Sequence, residues 1–244
     1  MPNTTTKAHT APLADTPALE VPTTIELVVM DMAGTTVTDD GLVIGAFDTA
    51  ATTVGLVEDG PERDRARQYV LDTMGQSKIE VFRALFGDED RAHTANRAFE
   101  EAYDARIVDG VGPMPGAADT ISRLRDAGVT VILTTGFSPS TQEQILTALE
   151  WTDLADAYLA PGDAGRGRPF PDLVLAAALR TQVSDMSAVA VVGDTSSDIE
   201  SGRRAGASVL VGVLTGAHSE HQLRTAEPTH ILASVADLPS LVLP

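Results

Sequence analysis

The chain has no cysteine, which excludes disulfide bonds, thiolate nucleophiles and cysteine-ligated zinc. It also has no apolar run of the ~18–20 residues that a membrane-spanning helix requires. Basic residues are scarce: the chain has 17 lysines and arginines but 35 aspartates and glutamates. Its formal net charge is −18. This charge argues against nucleic acid or an anionic membrane as a partner. We expect a cytoplasmic protein.

The first 24 residues are rich in Thr, Ala and Pro and contain no apolar segment typical of a signal peptide. Such a composition predicts a disordered tail over residues 1–24. The rest of the 244-residue chain is long enough for a substantial core with a smaller appended unit.

Continuous apolar runs that end at turn residues predict buried strands. Strong runs occupy 26–30, 129–133, 188–192 and 208–211, and weaker ones occupy 157–159 and 229–232. Helical patterns lie between them, at 117–127, 140–149, 172–181 and 197–205. This alternation predicts an α/β fold with an open, mostly parallel, Rossmann-like sheet that is covered by helices on both faces.

Residues 39–110 interrupt the alternation. They contain no convincing strand but four helical stretches, at 44–57, 62–73, 78–85 and 90–107. About 70 residues are too many for a connection between a strand and a helix, so this segment is predicted to be a helical cap domain inserted into a core of residues 25–38 and 111–244. The Gly- and Pro-rich residues 109–116 are typical of a hinge.

Polar residues follow the predicted strands at the edge where ligands bind in such sheets. Asp31 ends the first strand, and the residues after it can offer backbone amides to an anion. A carboxylate attacks phosphorus when a divalent cation suppresses the mutual repulsion, and it then forms an aspartyl-phosphate intermediate. Taken alone, Asp31 also fits a helix cap or a turn.

Further polar residues extend this pattern. Asp194 and Asp198 begin a helix after a strand, where two carboxylates can present oxygens to Mg²⁺ or can simply cap the helix. The Thr134 hydroxyl can bond a phosphoryl oxygen, and the Arg168 guanidinium can neutralise its charge. The order and context of these residues together favour phosphoryl chemistry.

Asp31-x-Ala33-Gly34-Thr35, Thr134, Arg168 and Gly193-Asp194-x-x-x-Asp198 resemble the four motifs of the haloacid dehalogenase superfamily. The resemblance extends from about residue 26 to the C-terminus, and the helical insert is similar to the C1 cap class of that superfamily. It implies Mg²⁺ held by Asp31, the carbonyl of Ala33 and Asp194, with Asp198 in support. It also implies a phosphoryl group bound by Thr134, Thr135, Gly136 and Arg168.

Ala33 and Lys78 narrow the chemistry. Phosphatases of the superfamily carry an aspartate at the position of Ala33, which protonates the leaving alkoxide, and alanine cannot do so. Lys78 follows Gly75 and begins a predicted helix, where the helix dipole and desolvation lower an amine's pKa. A neutral lysine can condense with an aldehyde to form an imine. The imine would accept the electrons of a breaking C–P bond without help from a carboxylic acid.

This pairing resembles the phosphonatase branch of the superfamily, the phosphonoacetaldehyde hydrolases. The chain shares Met74-Gly75-x-x-Lys78, Thr134–Phe137 and Gly167–Pro171 with them, but it has Met32 and Val81 where they have Trp and His. The resemblance implies a small phosphonate aldehyde as substrate and suggests a homodimer through the cap. Two alternatives stay open, namely hydrolysis of small phosphate monoesters and binding of phosphate or phosphonate without turnover.

Overall fold

The computed structural model of the protein describes residues 24–39 and 41–243. The predicted tail lies outside the described residues, apart from Thr24. The strands are β1 (Leu27–Asp31), β2 (Val37–Thr38), β3 (Gly112–Pro113), β4 (Thr130–Thr134), β5 (Ala157–Leu159), β6 (Val189–Gly193), β7 (Val209–Val213) and β8 (His230–Leu232). Six of them form one sheet in the order β5-β4-β1-β6-β7-β8, and every neighbouring pair in that sheet is parallel.

Helices connect and cover these strands. They are α1 (Leu42–Thr53), α2 (Pro61–Asp72), α3 (Lys78–Phe86), α4 (Glu89–Asp104), α5 (Ile107–Gly110), α6 (Ala117–Asp126), α7 (Pro139–Ala148), α8 (Pro161–Ala164), α9 (Asp172–Thr181), α10 (Ser196–Ala205), α11 (Glu220–Thr225) and α12 (Pro239–Val242). Short 3₁₀ helices occupy Met186–Ala188 and Val235–Asp237. The predicted α/β fold with a mostly parallel sheet is confirmed.

Strand β1 lies at the centre of the sheet, and all five of its residues are buried. Alternate side chains of a strand point to opposite faces, so Val28 and Met30 belong to one apolar cluster, whereas Leu27 and Val29 belong to another. The second cluster includes apolar residues of α9 and α10. A central strand that is apolar on both sides thus requires helices on both faces of the sheet.

Helices α1 to α5 form an insert between β2 and β3, which pair with each other antiparallel. The predicted hinge therefore contains a strand, because β3 begins at Gly112. The first apolar cluster runs without a break from the sheet into the insert, where it contains Phe47 and Phe99. The division of the chain into a core domain and a cap domain stays a prediction.

Two helix predictions in the insert need correction. The helix predicted to reach residue 57 ends at Thr53, because Gly55 follows with a φ of +80°, a left-handed conformation that stops a helix. The single helix predicted over residues 90–107 is two helices, which end at Asp104 and begin at Ile107. Among the described helices, none combines the length and the apolar character needed to cross a membrane.

Candidate active site

The carboxyl ends of β1, β4 and β6 bring the predicted polar residues together. In the β1–β4 register Asp31 is paired with Thr134, and Asp194 follows directly after β6 on the other side of β1. Because neighbouring parallel strands end at the same edge of a sheet, three segments far apart in sequence converge at one point.

Asp31, Asp194 and Asp198 form a buried carboxylate cluster, in which one oxygen from each lies within 4.8 Å of the others. Burial raises the pKa of Asp31 well above its usual range, and the opposing charge of Arg168 offsets this only in part. Burial, followed by the charge of Asp198, raises the pKa of Asp194 to about 7. Three buried acids this close together call for a cation or a proton among them.

Arg168 supplies part of that positive charge. Its Nη1 donates to Asp31 Oδ1 at 2.5 Å and its Nε lies 2.9 Å from Asp198 Oδ1. Its Nη2 donates to the Thr134 hydroxyl at 2.6 Å, and that hydroxyl donates in turn to the carbonyl of Met30. Burial opposes the guanidinium charge, but Asp198 and Asp31 outweigh it and raise the pKa of Arg168. Arg168 therefore stays protonated and holds two of the carboxylates.

Both oxygens of Asp194 and the second oxygen of Asp198 have donors of their own. Asp194 accepts from the Thr35 hydroxyl at 3.2 Å and from the Ala217 amide at 2.7 Å. Asp198 Oδ2 accepts from both the amide and the hydroxyl of Thr195, at 3.1 and 2.5 Å, in a capping box at the start of α10. Asp198 thus caps a helix, which is one of the two roles considered for it from sequence, and it also pairs with Arg168. Its support of a magnesium ion stays a prediction.

A cavity of about 60 Å³ lies between the sheet edge and the insert. Of the predicted site residues, the following line it: Asp31, Ala33, Lys78, Thr135, Gly136 and Asp194. Thr134, Arg168 and Asp198 are not among its lining residues and contact Asp31 or one another beside it. The predicted residues therefore form one site, in which six of them line the cavity and three hold the charged and polar groups beside it.

Lys78 begins α3 and enters the cavity from the insert. Its backbone amide donates to the carbonyl of Gly136 at 3.4 Å, and its Nζ lies 5.2 Å from the centroid of the Phe137 ring. Burial lowers the pKa of Lys78 to about 8, against the opposing charges of Asp39 and Asp31. The lowered pKa increases the fraction of neutral amine, which is the form that imine chemistry requires.

The insert meets the core through very close backbone contacts around Lys78. The carbonyl of Gly75 accepts from Arg168 Nη1 at 3.2 Å. At Gly136, a Cβ atom would lie 2.4 Å from the carbonyl oxygen of Gln76. Only glycine permits backbones to approach so closely, so the Gly75–Lys78 segment is held against the same loops that carry Thr135 and Arg168.

His218 was not predicted as a site residue from the sequence, and it is buried in the loop after β7. The backbone amide of Ser196 donates to its Nδ1 at 3.0 Å, and its Nε2 lies 3.3 Å from the carbonyl of Leu71 in α2. Since Nδ1 accepts, the ring hydrogen is on Nε2 and donates to Leu71. The sequence signal that could have identified His218 is its position in the loop after a strand, because β7 ends at the same sheet edge as β1 and β6.

Asp39 was missed as well. It follows β2 at the entrance to the insert and lines the cavity together with Lys78. Met32 and Val81, which depart from the phosphonatase pattern, are buried and are not among the residues that line the cavity. The Met32 sulfur accepts from Gln142 Nε2 at 3.5 Å, so this residue is part of the packing behind the site.

A comparison with protein-family models matches residues 25–206 to the haloacid dehalogenase-like hydrolases. The chain belongs to this family. The resemblance found in the motifs is confirmed, and so is the general activity of a hydrolase.

Relatives within the family carry two kinds of name. A phosphonoacetaldehyde hydrolase of Bacteroides fragilis is 29% identical over 221 residues, which cover 85% of this chain and 82% of that protein. A protein of Dickeya dadantii named "Probable phosphatase IndB" is 24% identical, over 87% of this chain and 91% of that protein. Among solved structures, a phosphonoacetaldehyde hydrolase-like protein of Oleispira antarctica matches with a TM-score of 0.77 and 24% identity, over 89% of this chain and 91% of that one.

The carboxylate cluster fits a magnesium ion, which the family generally uses. Magnesium prefers oxygen ligands and binds through one or two carboxylates together with substrate phosphate. Asp31 and Asp194 line the cavity with oxygens close to each other, and Arg168 balances the charge of only part of the cluster. Burial and the charge of Asp198 raise the pKa of Asp194, and a divalent cation in the cluster would oppose both effects.

Proposed function

We propose that this hydrolase cleaves the C–P bond of a small phosphonate aldehyde through an imine at Lys78 and an aspartyl-phosphate at Asp31. The observation that carries the proposal is that the Lys78 amine and the Asp31 carboxylate line one small cavity beside Ala33. Ala33 can protonate nothing, so a leaving group that needs no acid fits this site better than an alkoxide does. The relatives named phosphonoacetaldehyde hydrolase support the same substrate class.

In the proposed reaction, the neutral amine of Lys78 adds to the aldehyde carbon, and the adduct takes up one proton and loses water, which gives a protonated imine. An oxygen of Asp31 then attacks phosphorus while the C–P electrons move toward the imine nitrogen, so the carbon fragment departs as an enamine. The enamine takes a proton on carbon, and water releases the product aldehyde from Lys78. A second water hydrolyses the phosphate from Asp31.

In this scheme, Arg168 and the other predicted phosphoryl-binding residues stabilise the negative charge of the Asp31 carboxylate and the phosphoryl group. Arg168 fixes the Asp31 oxygen to which it donates, so the other oxygen is directed to the substrate. Thr135 and Gly136 line the cavity where the phosphoryl oxygens would lie. Magnesium, held by Asp31, the Ala33 carbonyl and Asp194 with Asp198 in support, would neutralise the phosphoryl charge.

Hydrolysis of a small phosphate monoester is the second candidate. It is favoured by Val81, which replaces the histidine of the phosphonatase pattern, and by the Dickeya dadantii relative with a phosphatase name. In that case Lys78 would form no covalent bond with the substrate, and the activity would not depend on its amine. Cytoplasmic location and a homodimer through the insert stay predictions.

Borohydride trapping separates the two candidates. Apart from Lys78, the chain contains only one other lysine, Lys7, so an adduct can be assigned without ambiguity by peptide mapping. With phosphonoacetaldehyde and borohydride, we expect an adduct on Lys78 in the wild type and in a Lys7→Arg control, and none in Lys78→Arg. Phosphate release from p-nitrophenyl phosphate that survives Lys78→Ala, with no adduct in the wild type, would establish the phosphatase instead.

A further inference from the structure

The proposed reaction moves several protons, and the side chains at two positions considered from the sequence, Ala33 and Val81, can neither donate nor accept one. Ala33 has no acidic group, and Val81 replaces the histidine of the phosphonatase pattern. Forming the imine requires that a proton leave the Lys78 ammonium and that the hydroxyl of the carbinolamine depart as water. A group within the cavity must therefore accept and return protons.

Among the residues that the structure describes, the titratable groups that line the cavity are Asp31, Asp39, Lys78 and Asp194. Asp31 is held by Arg168 and is the proposed nucleophile. Asp194 accepts from Thr35 and Ala217 and belongs to the proposed magnesium site. Asp39 has neither of these roles.

Asp39 lies between the β2 strand and the first helix of the insert and is partly buried. Its Oδ1 accepts from the Gly41 amide at 3.3 Å, which orients the carboxylate. Among the charges that affect the pKa of Lys78, the charge of Asp39 has a larger effect than that of Asp31 or any other group. Of the charges that affect the pKa of Tyr103, that of Asp39 also has the largest effect. The centroid of the Tyr103 ring lies 4.5 Å from that of the Phe137 ring. Asp39 thus lines the same small cavity as the amine and is the carboxylate there with no other assigned role.

We propose that Asp39 is the acid–base residue that serves Lys78 in this cavity. The inference rests on the proposed imine chemistry. Asp39 takes a proton from the Lys78 ammonium, and the free amine adds to the aldehyde carbon. Asp39 then protonates the alkoxide, removes a proton from the new ammonium and gives it to the hydroxyl, which leaves as water. The sum is ammonium plus aldehyde giving protonated imine plus water, with Asp39 returned to its carboxylate form.

The test compares Asp39→Asn, which keeps the shape and removes the acid, with Asp90→Asn, which removes a carboxylate from the exposed start of α4. The rate of Lys78 adduct formation with phosphonoacetaldehyde and borohydride is measured for both. General acid–base catalysis contributes about 10²–10⁴-fold, so we expect a loss of about 10²-fold or more in Asp39→Asn and none in Asp90→Asn. Asp39→Glu should recover part of the rate, and added formate should restore it in Asp39→Ala.

A second reaction isolates the proton step. Acetyl phosphate can phosphorylate Asp31 without an imine, and its leaving group needs no acid, so its hydrolysis should be unchanged in Asp39→Asn. This result would also show that the variant is folded. Adduct formation at the wild-type rate in Asp39→Asn, or equal loss of both reactions in Asp39→Asn and Asp39→Glu, would overturn the inference alone. If the wild type forms no adduct, the proposed function fails with it.

Discussion

Gly75 of the insert lies so close to Thr195 of the core that a Cβ atom on Gly75 would be 2.5 Å from the Thr195 hydroxyl oxygen. Thr195 donates that hydroxyl to Asp198, and Lys78 follows Gly75 by three residues. The lack of a side chain at position 75 therefore lets the insert bring its amine to the carboxylate cluster.

Gly75→Ala should separate the insert from the core at this contact. The φ of +81° at Gly75 costs about 1–2 kcal/mol for any residue with a Cβ, and the contact with Thr195 adds to that cost. We expect kcat/KM to fall by about tenfold or more. Gly55→Ala is the matched control, since Gly55 has a φ of +80° and nothing within 4 Å. Similar losses of activity in both variants would contradict this role for the contact.

His218 offers a second way to test the contact between insert and core. In His218→Asn, the amide oxygen can accept from Ser196, but the side chain is too short to reach Leu71. In His218→Gln, the longer amide can donate to Leu71. Since a hydrogen bond contributes about 1 kcal/mol, we expect His218→Asn to lose about fivefold in kcat/KM and His218→Gln to lose less. Hydrogen exchange at Leu71–Lys78 should rise in the Asn variant only.

Magnesium binding should depend on pH through Asp194. The pKa of this residue is raised to about 7, and a carboxyl must lose its proton before it can bind a metal. We therefore expect magnesium affinity to increase as the pH rises through about 7. The increase in Tm caused by 10 mM Mg²⁺ should be larger at pH 8 than at pH 6, and Asp194→Asn should remove the difference. An equal shift at both pH values would show that Asp194 is not a ligand.

Replacing Lys78 with methionine should stabilise the fold. The pKa of Lys78 is about 8 in the folded protein and about 10.4 in an unfolded chain. Below pH 8 the amine is charged in both states, and the folded state carries the full cost of burying that charge. Between pH 8 and about 10.4 the folded state loses the proton first, so the wild type gains stability as the pH rises.

The gain from Lys78→Met should therefore be largest below pH 8 and should shrink toward pH 10. Urea unfolding of the two proteins at pH 7 and pH 10 measures it. A variant less stable than the wild type at pH 7 would mean that the Lys78 charge is well compensated inside the cavity.

Local patterns were sufficient to predict much of the fold and part of the site. Asp31 ends a strand whose five residues are all buried, so its apolar run identified both the strand and the direction of the carboxylate. Asp194 was found in the same way. Gly75 was expected to break the insert between two helices, and α2 does end at Asp72 and α3 does begin at Lys78.

The contacts of His218 and the shared cavity of Asp39 and Lys78 could not be found by such patterns, because they bring together residues that are distant in sequence. The His218 ring meets the carbonyl of Leu71 across 147 residues, and no periodicity within either segment reports that meeting. Asp39 stands in a short polar stretch after β2, and its relation to Lys78 arises only when the insert folds back over the sheet. The roles assigned to the site residues from sequence stay predictions.

The β2–β3 ribbon carries both connections between the sheet and the insert. Thr38 and Gly112 are paired in it, and the Thr38 hydroxyl donates to the carbonyl of Gly112 at 3.3 Å, so the chain leaves and re-enters the sheet unit at a single point. A substitution at Thr38 or Gly112 would therefore disturb the placement of Lys78 over the sheet without touching any reacting atom.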